Sequence, residues 1–411
     1  MNFLLNNMRF LGFGLTLAFL SSFGQTYFIG VYRPAIAEEF ALSNSEFGLY
    51  YLCVTIVSAV GLNRLGHIID RANLVPYTMT LLVLTAVACG LVGLAGPFWV
   101  VVVGLMAVRL MGQGMLTHAA MTSMSRYYDR NRGFAVAIAG LGFPIGQAVL
   151  PPLAVTLMQD LEWRTGWFVF AALILVVALP IIGFLLKGHQ TRHKAWLAKE
   201  AAVSVDDGGV NQKHARRKNV IRDPRFYLML PALIAGPFWI TAAFFFADEF
   251  GAHAQMVLAD YTRFYGLYAV GSIAAPFMGG LLVDKLGGKR LMFLYPPLFG
   301  LALLALQASP SAGGVIIFMF LMGLGAGITL PINNAVWAEL YGTKHLGEIK
   351  SLATSLVVVS TALAPYFIGI LLDHGIDLSR IMVMGAIYCF VATLLVVPMA
   401  LQSLRLPVSR K

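Results

Sequence analysis

The sequence predicts an all-α integral membrane protein of twelve transmembrane helices in two parallel six-helix repeats. Three observations predict this fold class: the composition, the number of long apolar segments, and landmarks that recur at one spacing. Of the 411 residues, 59% are hydrophobic and 12% are charged, whereas soluble domains average about 45–50% and about 25%. So few charges cannot cover a water-exposed surface, and we therefore expect a lipid bilayer around the protein.

Twelve segments are long and apolar enough to cross the hydrocarbon core as helices, which takes about 20 residues each. They lie near residues 9–33, 46–65, 75–96, 98–125, 133–158, 164–186, 226–247, 262–283, 290–308, 313–338, 349–372 and 380–402. The first is too long for the apolar region of a signal peptide, so we expect it to be a retained span.

Lys and Arg are distributed unevenly between the two sides of the predicted bundle. If the N-terminus is cytoplasmic, the cytoplasmic connections and both tails hold 24 of the 29 basic residues, and the outer connections hold four. This asymmetry follows the positive-inside rule. We therefore expect a multi-pass plasma-membrane protein, in a bacterium an inner-membrane protein, with both termini cytoplasmic.

The longest connection, residues 187–225, contains ten basic residues and separates six spans from six. The predicted domains are accordingly a first bundle at 1–186, this basic loop, and a second bundle at 226–411. Basic runs can bind nucleic acid, but a loop that faces an anionic lipid leaflet explains the charge here. We expect no nucleic-acid partner.

The two halves repeat each other at an offset near 214 residues. Gly66-His-Ile-Ile-Asp70-Arg71 follows the second span, and Gly280-Leu-Leu-Val-Asp284-Lys285 follows the eighth. Gly112 and Gly114 of the fourth span likewise correspond to Gly325 and Gly327 of the tenth. Six spans return the chain to the same side, so these are parallel repeats.

At these residues the chain resembles the major facilitator superfamily of secondary transporters, over essentially its full length. The Gly-x-x-x-Asp-Arg/Lys loop is this family's gating signature, which implies a gating role for Gly66, Asp70, Arg71, Gly280, Asp284 and Lys285. We also expect Gly66 and Gly280 to allow close backbone approach. A plain charged turn is the alternative interpretation. In the first copy Asn73 replaces an expected Gly, and we expect Asn to tolerate a positive φ there.

Arg109 is the basic residue that lies deep within a span, about eleven residues into the fourth. An intramembrane charge is costly and is a functional-site hypothesis by default. Its planar guanidinium could bind a carboxylate, or it could be a structural residue satisfied by backbone carbonyls. Gln113, at i+4, shares its face.

His118 lies nine residues beyond Arg109 and is predicted to project roughly opposite to it. A histidine at this depth could couple transport to protons. It could equally be a hydrogen-bonded packing residue, and we favour packing.

The family resemblance also implies that spans one, four, seven and ten line the substrate path. This nominates Gln25, Arg109, Gln113, Trp239, Asn333 and Asn334 as candidate substrate-binding residues. The Asn pair could instead form hydrogen bonds between helices.

The sequence contains no metal-ligand or catalytic motif, so we expect no enzyme activity, no catalytic residue, no metal and no cofactor. We expect a monomeric alternating-access carrier of a small, anionic solute such as a carboxylate, driven by protons or by exchange. Residues 127–133 are distantly similar to the monocarboxylate and oxalate–formate branch. The alternative is efflux of lipophilic compounds by proton antiport.

Overall fold

The computed structural model describes residues 2–128, 131–194, 196, 217–342 and 345–404. Within these residues it contains twelve helices that are long and apolar enough to span a membrane, which confirms the predicted number, and no strand. Spans 1 to 12 are, in order, Phe3–Glu39, Asn44–Asp70, Leu74–Gly93, Phe98–Tyr127, Arg132–Asp160, Trp163–Leu185, Pro224–Phe245, Leu258–Leu286, Gly288–Ala308, Ala312–Tyr341, Leu346–Asp373 and Leu378–Leu401.

Three of these spans change helix type along their length. Span 1 consists of the α-helix Asn2–Leu20, the 3₁₀ turn Ser21–Gly24 and the α-helix Thr26–Glu39. Span 4 contains a π-helix, and so does span 6 at Ile174–Ala178. Each interruption falls within an otherwise continuous apolar segment, where periodicity gave no sign of it.

The two gating loops have different backbones. Asn73 does not use the positive φ that Asn could tolerate: its φ is −67°, and its side chain accepts a hydrogen bond from Val75 N, so that it caps span 3. Gly287, at the equivalent place in the second copy, has a φ of +80°. Asn can accept a backbone N–H through its side chain and Gly cannot, so each residue begins the next helix differently.

The chain divides into two compact units. The first contains residues 1–35 and 53–211, and the second contains residues 36–52 and 212–411. Each unit is an all-helical bundle. The domain boundaries drawn from the sequence stay a prediction.

Residues 36–52 belong to the second unit through contacts with the end of span 11. Asp373 accepts hydrogen bonds from the backbone N–H groups of Asn44 (3.1 Å) and Ser45 (2.8 Å). A carboxylate at this position also stabilises the partial positive charge of the helix N-terminus. The backbone of Gly48 lies against Pro365, because a Cβ on Gly48 would come within 2.6 Å of the Pro365 oxygen.

Small residues allow the helices within each unit to pack closely, as helices in lipid require. In the second unit, the backbone of Gly323 in span 10 lies directly against the carbonyl of Tyr268 in span 8, where a Cβ would clash. In the same helix, a Cβ on Gly313 would meet only Ser311 Oγ, at 3.7 Å. The first position therefore requires Gly, and the second does not.

We predict that Gly323→Ala destabilises the protein by about 1–3 kcal/mol, because the added methyl forces spans 8 and 10 apart. Gly313→Ala is the matched control in the same helix. It is expected to be neutral or to stabilise by up to about 1 kcal/mol, since Ala favours helix more than Gly. Thermal unfolding of the purified variants measures both effects, and equal behaviour of the two would contradict the packing assignment.

Candidate functional site

Span 1 is discontinuous near its middle. The α-helix ends at Leu20, Ser21–Gly24 forms a 3₁₀ turn, and Gln25 is extended, with φ −82° and ψ 152°. Ser21 Oγ donates to the Ala18 carbonyl at 2.7 Å, and Gln25 N donates to the Ser22 carbonyl at 3.0 Å. Backbone groups at this break therefore no longer follow the i to i−4 hydrogen-bond pattern of an α-helix.

The part of span 4 that faces this break, Arg109–Leu116, is a π-helix. The segment contains Gly112 and Gly114, whose lack of a side chain lowers the stability of a regular α-helix. Short π-helical turns occur frequently at functional sites, because the wider turn re-aims the side chains on it.

Two glycines bring the break and the π-helix into backbone contact. A Cβ on Gly24 would clash with Val108 O and lie 2.5 Å from Gln113 N. A Cβ on Gly112 would lie 2.9 Å from Gly24 N. Any side chain at either position would separate spans 1 and 4.

This contact places the guanidinium of Arg109 at the break. The side chain is 4% exposed, and its Nη1 donates to the Gly24 carbonyl at 3.5 Å. An Arg side chain stays charged in proteins. The first unit therefore buries a permanent positive charge beside the discontinuous segment of span 1.

Polar side chains surround the break. Gln25 and Gln113 are half-buried. Tyr27 Oη donates to Ser22 Oγ at 2.8 Å, and the absence of a side chain at Gly146 makes room for that hydroxyl. Sequence reasoning missed Tyr27, because an aromatic residue in a span carries no signal until the break is known.

In the second unit, Trp239 is buried against Gly385 of span 12. It lines an apolar cavity of about 510 Å³ between spans 7, 11 and 12. Asn333 is half-buried and Asn334 is exposed, and neither lines this cavity. Trp239 therefore lines the cavity of the second unit, whereas Asn333 and Asn334 lie elsewhere in the same unit.

In the first unit, residues of span 4 hold the gating loop. Arg126 donates through Nη2 to Asp70 Oδ1 and through Nη1 to the Ile69 carbonyl, both at 2.9 Å. His118 Nε2 lies 3.0 Å from the Gly66 carbonyl oxygen. The Arg71 side chain lies outside the described residues.

In the second unit, an acidic residue of span 10 holds the corresponding loop. Glu339 accepts hydrogen bonds from the backbone N–H groups of Gly288 (2.6 Å) and Lys289 (3.1 Å). Sequence reasoning missed this contact, although Arg126 and Glu339 are 213 residues apart, the spacing that separates Gly112 from Gly325. Equivalent positions therefore hold the two loops with opposite charges.

The remaining gating candidates of the second copy lie at the surface of their unit. Asp284 and Lys285 are exposed. The sequence also suggested that Gly280 permits close backbone approach, as Gly66 does. Within the described residues this is wrong, because a Cβ on Gly280 would meet nothing within 4 Å.

We predict that Glu339→Gln increases hydrogen exchange of the peptide containing Gly288 and Lys289 by about tenfold. Loss of the charge weakens two charge-assisted hydrogen bonds, which contribute about 1.5–3 kcal/mol each when fully formed. Exchange measured by mass spectrometry tests this prediction. Glu348→Gln, at another exposed acid of the second unit, is the control and should leave this peptide unchanged.

No group of three or more His, Cys, Asp or Glu side chains suited to a metal occurs in the described part of the chain.

The family model of the Major Facilitator Superfamily matches residues 14–261 and 238–408. The chain is 26% identical to a cis,cis-muconate transport protein of Acinetobacter baylyi, over 86% of this chain and 85% of that protein. It is 21% identical to an agnestins efflux protein of Paecilomyces divaricatus over 67% of this chain, and 22% identical to monocarboxylate transporter 4 of Gallus gallus over 64%. These two alignments span only 61% and 55% of the relatives' own lengths.

Among solved structures, a point mutant of a peptide transporter has the same fold, with a TM-score of 0.69 at 14% identity. The match covers 96% of this chain and 94% of that one. The family model, the twelve spans and the shared fold agree over nearly the whole sequence. The chain therefore belongs to the Major Facilitator Superfamily.

Proposed function

We propose that the protein is a secondary active transporter of a small organic anion of the carboxylate class, and not an enzyme. It works by alternating access, coupled to protons or to exchange of a second solute. The observation that carries this proposal is the buried guanidinium of Arg109 beside the break in span 1.

A fixed positive charge in a span is costly, and in membrane proteins such a charge commonly marks a substrate pathway. The guanidinium presents five N–H donors in a planar fork that matches the two oxygens of a carboxylate. Discontinuous helices form the substrate sites of many transporters, since their freed backbone groups can bind ligand. Arg109 and the break at Gly24 combine both features in one unit.

The relatives support an acidic substrate. Two of them are named for the transport of cis,cis-muconate and of monocarboxylates, and the match to the first extends over 86% of this chain. We therefore propose a carboxylate substrate, with Gln25 and Gln113 as neutral hydrogen-bonding partners beside Arg109. Trp239, Asn333 and Asn334 stay candidates on the second half of the path.

The contacts of the gating motifs and of His118 are compatible with an alternating-access transport cycle. We propose that the contacts of Asp70 and Glu339 hold the two loops in one state and break in another. We assign His118 a positioning role, because its ring nitrogen contacts the Gly66 carbonyl. The excess of basic residues on one side supports cytoplasmic termini in a plasma membrane, and we propose a monomer as the working unit.

Efflux of lipophilic compounds is the second candidate function. The apolar cavity of the second unit favours it, since its lining is hydrophobic and partly aromatic and includes Phe238, Trp239, Met384 and Tyr388. The similarity to an agnestins efflux protein points the same way. The two candidates differ in ligand charge and in the unit that provides the main contacts.

We predict that cis,cis-muconate stabilises the purified wild-type protein, by about 2.7 kcal/mol at a hundredfold excess over Kd. Arg109→Gln is expected to abolish this stabilisation, and uptake into proteoliposomes with it, while ligand-free unfolding stays within about 2 °C of wild type. Arg109→Lys keeps the charge but loses the fork, so we expect weakened binding. Thermal unfolding with and without ligand provides the measurement.

Arg132→Gln, at an exposed position of the same unit, is the matched control and should behave as wild type. A large fall in ligand-free stability for Arg109→Gln would assign that side chain a structural role instead. Stabilisation by the lipophilic cation tetraphenylphosphonium alone would contradict the anion proposal and favour efflux.

A further inference from the structure

Three basic residues line a small cavity beside the start of span 1 and the end of span 6. The cavity has a volume of about 200 Å³ and is lined by Leu5, Asn6, Asn7, Met8, Arg9, Phe10, Leu185, Lys187, Gly188 and Arg192. No Asp or Glu occurs among these lining residues. Three basic residues and two Asn residues therefore line one space, with no acidic residue among the residues of its wall.

Two of the cations are held in place by the first unit. Arg9 donates through Nη2 to the carbonyls of Phe184 (2.7 Å) and Lys187 (2.8 Å). The Nη2 bonds use two of its five N–H donors and leave the others for a ligand. The guanidinium of Arg192 lies 4.2 Å from the ring centroid of the buried Phe10, a cation–π contact that orients it.

The electrostatics of the cavity favour an anion. Burial is the largest cause that lowers the pKa of Arg192, and the nearby positive charge of Arg9 lowers it further. Arg192 nevertheless stays charged at neutral pH, because an Arg side chain is not deprotonated in proteins. The like charges of Arg9, Lys187 and Arg192 repel one another, and an anion between them would relieve that repulsion.

The surface beside the cavity is apolar. Leu5 and Met8, on the same turns as Asn6 and Arg9, are 62% and 60% exposed, and Phe184 is 63% exposed. Phe184 is the penultimate residue of span 6, and Lys187 is the second residue after that span. The cations therefore lie beside the start of span 1 and the end of span 6, and exposed apolar side chains lie next to them.

We propose that this cavity binds the phosphate headgroup of an anionic phospholipid, with the acyl chains against Leu5, Met8 and Phe184. Guanidinium groups bind phosphate oxygens through paired N–H donors, and basic pockets at span ends are suited to such headgroups. A soluble phosphate would use the same cations but would gain nothing from the exposed apolar side chains. This binding is independent of the proposed transport activity.

The test measures thermal unfolding of the full-length protein in detergent at 150 mM salt. Micelles contain increasing fractions of phosphatidylglycerol or phosphatidylcholine, and a third series contains inorganic phosphate without lipid. The site variant is Lys187→Gln/Arg192→Gln, which leaves Arg9 and its carbonyl contacts intact. The control Arg64→Gln/Arg222→Gln removes the same charge at two exposed positions.

We expect phosphatidylglycerol to raise the unfolding temperature of the wild type in a saturable manner, and phosphatidylcholine and phosphate to have no such effect. The site variant should require at least tenfold more phosphatidylglycerol for half of the shift, and the control less than twofold more. Equal weakening in both variants would overturn the proposal in favour of unspecific charge attraction. A full shift with phosphate alone would overturn it in favour of a soluble anion.

If the site variant unfolds before any titration, Arg192→Lys gives the second test. It retains the charge and loses the paired donors, so an intermediate loss of affinity for phosphatidylglycerol supports the site. An affinity equal to that of the wild type in this variant would contradict headgroup recognition by the Arg192 fork.

Discussion

The hydrocarbon core of a bilayer offers no hydrogen-bond partners, and this constraint underlies every feature described above. Backbone N–H and C=O groups in lipid must be satisfied within their own helix or by neighbouring protein. Long α-helices meet the requirement on their own, so nearly all of the residues that the structure describes lie in such helices. Where a span departs from the α-helix, as span 1 does at Ser21–Gly24, the backbone is buried against other protein groups instead.

Close backbone approach is what makes that departure possible. Water does not drive helices together inside a membrane, so their association depends on packing and on interhelical polar contacts. Gly24 and Gly112 bring spans 1 and 4 into direct backbone contact. At this distance the Arg109 guanidinium reaches the Gly24 carbonyl. The same glycines that permit the packing therefore position the charge on which the proposed substrate recognition depends.

The duplicated halves show how one architecture can be held by different chemistry. Arg126 holds the first gating loop through a carboxylate and a carbonyl, whereas Glu339, at the equivalent position, holds the second through two backbone N–H groups. The loops differ accordingly: the first begins its next helix with the side-chain cap of Asn73, and the second turns through Gly287 at positive φ. The two halves therefore share the position from which a side chain holds the gating loop, but they differ in the residue at that position.

The sequence by itself determined the twelve spans, the internal repeat and the buried charge of Arg109, because composition and hydropathy depend only on local chain content. It did not reveal the break in span 1, the π-helix of span 4, the cap at Asn73 or the role of Glu339. A helix interruption is stable only when another span satisfies its backbone, so its position depends on neighbours distant in sequence. The tertiary structure decided which polar groups meet, because hydrogen bonds require distances that no local pattern encodes.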